Sequence, residues 1–127
     1  MWTFQSRAAS WAMLAFGEFI AKNKTERNLR FIEEAVELVQ ACGCTEEHVL
    51  RIVRHVFSRP AGEREQEVGG TLVTLSALCE AQGIDIEFVS EVELARCYEK
   101  IEKIRGKQLW KQEQGIGVDL EGRVREP

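Results

Sequence analysis

Proline is nearly missing from this sequence: Pro60 and Pro127 are the two prolines in 127 residues. Little therefore interrupts helices, because proline removes a backbone donor and clashes with the preceding turn. Sustained polar–apolar alternation with β-branched residues is also missing, so no strand is predicted. No apolar run approaches the roughly 20 residues that span a bilayer, and no membrane partner is expected. The start, MWTFQSRAAS, has no basic region leading into a clean apolar stretch, and Glu18 interrupts the apolar residues after it. No signal peptide is expected. Basic excess is absent as well. Seventeen Lys and Arg stand against 21 Asp and Glu, a formal charge of −4, which argues against a protein whose main work is binding a nucleic acid polymer. C-x-x-C is absent too. Cys42 and Cys44 are separated by Gly43 alone, and Cys79 and Cys97 stand apart. Reduced thiols in a cytoplasmic protein are expected, with two or three of them buried as small apolar residues.

What is present fits one soluble domain. The length suits a domain of roughly 100–150 residues, and 44% apolar with 30% charged residues is an ordinary globular balance. Five helices are predicted. The first covers 6–21 with Trp11, Leu14, Ala15 and Phe19, and the polar break Asn23 to Thr25 comes after it. The second covers 27–41 and ends at Gly43, a C-terminal cap. Thr45 is an N-cap for the third, with Glu46 and Glu47 where acidic charge suits the helix dipole. That helix runs to Phe57 with Val49, Ile52, Val53, Val56 and Phe57 on one face. Residues 63–82 and 87–109 form the fourth and fifth. The prediction is an all-α antiparallel bundle over 1–110, with a Gly-rich, polar, mobile tail over 111–127.

The second helix carries the main chemical signal. Leu29, Phe31, Ile32, Ala35, Val36, Leu38 and Val39 fill a little over half its circumference at 100° per residue. An arc that wide predicts burial by more than one neighbouring helix. Glu33, Glu34 and Glu37 share the remaining arc. Three carboxylates together repel one another unless solvated or holding a cation, and Glu34 and Glu37, three apart, can reach one hard ion such as Mg²⁺ or Mn²⁺. On the fourth helix Glu67, Gly70, Thr71 and Thr74 share a face. Gly69 and Gly70 each cost roughly 1 kcal/mol relative to alanine inside a helix, which predicts a close approach of another helix or a ligand to that backbone.

Together these segments resemble the MazG-like branch of the all-α nucleoside triphosphate pyrophosphohydrolases. The resemblance runs through residues 27–39, then Glu67 to Leu75, then Glu93 to Arg96 and Lys100 to Arg105, and covers about residues 10–108. It implies a Mg²⁺-dependent hydrolase splitting a nucleoside triphosphate into monophosphate and pyrophosphate, a homodimer or homotetramer whose subunits complete one another. By the family pattern E-x-x-E followed by E-x-x-D, metal ligands fall on Glu34, Glu37 and Glu67. The fourth ligand falls on Gly70, where the sequence departs from the pattern. Glu33 is then an added ligand or a base on the attacking water. Arg96 and Lys100, the start of a stripe that continues to Lys103 and Lys107, fall where the family carries phosphate-binding residues. The departure at Gly70 raises an alternative: a non-catalytic helical module that senses a nucleotide or binds a protein. His48 and His55 are expected on the surface or in packing. Trp2, Trp11 and Trp110 are expected in core or subunit packing.

Overall fold

A computed structural model of the protein describes residues 2–126; Met1 and Pro127 lie outside them. The described residues form six α-helices: α1 Phe4–Lys22, α2 Lys24–Ala41, α3 Glu46–Phe57, α4 Arg64–Gln82, α5 Ile86–Glu99 and α6 Ile101–Glu113. The all-α class is as predicted. The local signals act as their chemistry requires. Gly43 takes φ of 91° beyond α2, and the Cys44 N–H reaches back to the Val39 carbonyl at 2.9 Å, the crossed bond of a Schellman ending. Thr45 Oγ1 accepts from the His48 N–H at 3.2 Å and starts α3.

Two helices differ from expectation. α1 contains a kink at Gly17, whose φ of 77° and ψ of 165° are open to glycine alone. The kink orphans the Leu14 and Ala15 carbonyls, and the Arg105 guanidinium donates to both. The predicted fifth helix is two helices, divided at Lys100. Neither proline nor glycine stands there. Instead the Trp11 indole N–H takes the Cys97 carbonyl at 3.1 Å, and an intruding side chain of this kind is a recognised cause of a break in the ladder.

The chain divides into two compact units. In the first, residues 2–35 with 92–126, α1 lies along α6. Its buried apolar residues are Ala12, Ala15, Ile20, Leu94 and Val118. The residues beyond α6 make specific contacts with this unit. A bridge joins Val118 to Val124, and Val118 is fully buried. Its N–H donates to Glu26 Oε2 at 2.9 Å, and Arg30 donates to the Ile116 carbonyl. Asp119 closes the final turn by accepting from the Glu121 and Arg123 N–H groups. These bonds, chiefly that from Arg123, hold its carboxyl below the ordinary 3.8. In the second unit, residues 36–91, Cys79 is the buried apolar residue. α3 buries no residue. The apolar arc of α2 is covered in part: Leu29, Ala35, Leu38 and Val39 are half-buried, and Phe31 and Ile32 are more than half exposed.

Candidate functional site

Glu33, Glu34 and Glu37 succeed one another around α2, and the structure gives them different surroundings. Glu33 is half-buried and ion-paired with Lys111 of α6, Oε1 to Nζ 2.6 Å. That ammonium holds the carboxylate that the sequence offers as a base. Glu34 and Glu37 are exposed.

Glu34 has neighbours on α5. Cys97 there has a thiol pushed above its ordinary value, first by burial, then by the charge of Glu93 and its hydrogen bond, then by the charge of Glu34, with Arg96 opposing. The structure therefore brings Glu34 into the electrostatic reach of the same group as Arg96, two of the residues singled out from sequence. Arg96 is itself paired with Glu93 at 2.9 Å, and both are about half exposed. Lys100 is exposed and stands at the division between α5 and α6, where its N–H bonds the Arg96 carbonyl and its carbonyl accepts from Ile104. Arg96 and Lys100 thus occupy consecutive turns in the first unit.

Glu37 and Glu67 belong to the second unit. Glu67 lies in the first turn of α4, and its carboxylate folds back over Gly62. Thr71 and Thr74 point their hydroxyls into their own helix, onto the Glu67 carbonyl at 2.8 Å and the Gly70 carbonyl at 3.0 Å. Nothing stands within 4 Å of where a Cβ would sit on Gly69 or Gly70. The close approach predicted at this glycine pair is not made by the chain's own atoms. Among the described residues no three His, Cys, Asp or Glu side chains stand together in a group that could hold a metal ion.

Several residues with structural consequence carry no sequence motif. Glu26 is fully buried, 3.5 Å from the Arg30 guanidinium; its i, i+4 spacing from Arg30 was the available signal, and it is a common one. Arg27 stacks over the Phe16 ring at 5.1 Å, and Phe16 meets Trp11 edge-on at 5.6 Å. In the first unit a cavity of about 540 Å³ opens between Met13, Leu14, Phe16, Ile20, Leu109 and Leu120. Its lining is mostly apolar but includes Arg105, Gln108 and Gln112, and it contains none of the glutamates singled out above. His48 and His55 are exposed on α3, and the four cysteines are free, with Cys79 buried, Cys42 and Cys97 half-buried and Cys44 exposed. No helix of the described residues is long and apolar enough to cross a membrane.

No family model matches the chain, and no curated protein or solved structure matches it.

Proposed function

We propose that the protein is a Mg²⁺-dependent, MazG-like nucleoside triphosphate pyrophosphohydrolase, acting in the cytoplasm as a homo-oligomeric helical bundle. The observation that carries the reading is the pair Glu34 and Glu37, one turn apart on α2 and both open to solvent. Two exposed carboxylates at that spacing suit a Mg²⁺ ion, which keeps several waters and takes few protein oxygens. By the same resemblance Glu67, exposed at the start of α4, would be the third ligand. Bound Mg²⁺ would neutralise the polyphosphate and acidify a coordinated water. Arg96 and Lys100, on consecutive turns, would take the phosphate charge. Arg96 would exchange Glu93 for phosphate. Glu33 serves as the added ligand or base once its pair with Lys111 opens.

One observation favours a second reading, a non-catalytic module that binds a nucleotide or a protein. Position 70 has no side chain, and the space around it is open. That same openness makes the distinction testable, because a Cβ added at position 70 meets nothing within 4 Å.

The experiment is pyrophosphate release from a panel of nucleoside triphosphates with Mg²⁺, Mn²⁺ or EDTA. Metal-dependent release is expected, reduced at least 100-fold in both Glu34→Gln and Glu37→Gln. Wild-type turnover untouched by either substitution would overturn the site. No turnover in the wild type, with turnover appearing in Gly70→Asp, would establish the second reading.

A further inference from the structure

We propose that the first unit holds a buried site for a hydrogen phosphate ion, formed by Glu26, Arg27 and Arg30 of α2 with Gln108 of α6. The site uses none of the residues of the hydrolase reading and does not rest on it. Glu26 and Gln108 are 0 and 8% exposed, and the Arg30 side chain is 15% exposed. These side chains meet under residues 116–118. Arg30 donates to the Ile116 carbonyl, and Glu26 accepts from the Val118 N–H. Between those two contacts, a Cβ placed on Gly117 would stand 3.4 Å from Gln108 Nε2. Arg27 lies within electrostatic reach of the other two charges. Burial pushes its guanidinium below the ordinary 12.5, the charge of Glu26 opposes this, and the charge of Arg30 adds to it.

The hydrogen bonds that these groups leave unmade identify the ion. Among the described residues, the buried polar side-chain atoms without a hydrogen-bond partner are Glu26 Oε1, Arg27 Nε and Nη2, Arg30 Nε and Nη1, and Gln108 Nε2. Buried polar groups are nearly always satisfied, and an exception asks for a water or an ion. Here every exception belongs to one cluster. The ion pair of Arg30 with Glu26, Nε to Oε1 3.5 Å, supplies charge but no hydrogen bond. Arg27 stacks its face on Phe16 at 5.1 Å, which leaves the N–H groups at its edge to be met. Five of the six atoms are donors, so the complementary group is an acceptor. Two guanidiniums, always charged, stand against one carboxylate, so that group is also an anion. Water would meet the donors and leave a buried charge uncompensated. Five donors exceed the about four lone-pair sites of a carboxylate and suit a tetrahedral oxyanion, which guanidinium edges bind in pairs. The sixth atom, Glu26 Oε1, is an acceptor and asks for a proton. At neutral pH phosphate keeps one, and sulfate has none. Burial of all six atoms favours the free ion over a phosphate ester, whose substituent needs an open side.

Isothermal titration calorimetry tests this on the full chain, dialysed free of phosphate and held in EDTA at constant ionic strength. The probes are inorganic phosphate, sulfate and adenosine monophosphate. One phosphate per chain is expected, bound roughly 10-fold or more tightly than either of the others. Arg27→Lys keeps the charge and removes the planar fork, and should weaken phosphate roughly 10-fold. Glu26→Gln keeps an acceptor for the Val118 N–H and can turn an amide N–H toward the ion. It should weaken phosphate and strengthen sulfate until the two bind alike. Circular dichroism checks that each variant is helical, and an exchange of preference is not something a misfolded chain produces. No saturable phosphate binding by the folded wild type overturns the proposal and leaves the donors to water. Equal affinity of the wild type for phosphate and sulfate overturns it as well. So does binding that Arg27→Lys and Glu26→Gln leave unchanged, by placing the ion elsewhere. Adenosine monophosphate binding as tightly as phosphate overturns the free ion in favour of an ester. EDTA removes Mg²⁺, so these outcomes are independent of Glu34 and Glu37. Pyrophosphate release, measured separately, reports on the hydrolase reading, and either can fail without the other.

Discussion

Glu26 shows how one buried carboxylate can fasten a chain end. An isolated buried charge is costly, and this one is kept by the Val118 N–H at 2.9 Å and the Arg30 guanidinium at 3.5 Å. Glu26→Leu leaves both groups without that acceptor, and removing one member of a buried pair costs about 3 kcal/mol. Urea unfolding should show that loss, while Glu26→Leu with Arg30→Met should recover most of it, since apolar replacement of both partners is tolerated. A full loss in the double variant would mean that the pair is not the reason. Cys97 illustrates the opposite balance. Burial and two glutamates push its thiol above the ordinary value, which favours the protonated form.

Among the elements, α1 depends most on a residue far away in sequence. Gly17 permits the kink, and Arg105 satisfies the carbonyls that the kink frees. A Cβ at Gly17 meets nothing within 4 Å, so Gly17→Ala tests backbone strain without a steric clash. The expected cost is about 2 kcal/mol, within the roughly 1–3 kcal/mol of a residue forced into that region. It should appear as a lower urea midpoint with an unchanged slope; no shift would mean that the kink relaxes freely. α3 stands at the other extreme. Its Thr45 cap, its acidic first turn and its apolar spacing are all local, so its bounds were legible in the sequence. The break at Lys100 was not, because its cause is Trp11, far back in the first helix.

For the whole molecule the governing quantity is apolar surface left without cover. If second copies supply that cover, unfolding and dissociation are one event, and stability depends on concentration. Each tenfold rise in protein concentration should then raise the apparent stability of a dimer by about 1.4 kcal/mol, read as a rising midpoint in urea. A midpoint fixed over a hundredfold range belongs to a folded monomer. The wide apolar arc of α2 predicted more neighbouring helices than the chain itself provides. Phe31, Ile32 and Val36 remain exposed, whereas Leu29, Ala35, Leu38 and Val39 are half-buried.

The sequence by itself determined the helical class, the caps at Gly43 and Thr45, and the succession of glutamates on α2, because these arise from interactions within a few residues. It also placed Glu34 and Glu37 one turn apart, since helical geometry alone sets that spacing. Tertiary structure decided the rest. It divided the last helix through Trp11, bent α1 at Gly17, tied Glu33 to Lys111 and bound the segment after α6 through Glu26 and Arg30. Each of those outcomes depends on partners 78 to 92 residues apart, or on a backbone angle that glycine permits without requiring. Periodicity carries no information about such pairs, because it records which face a side chain occupies and not what stands opposite.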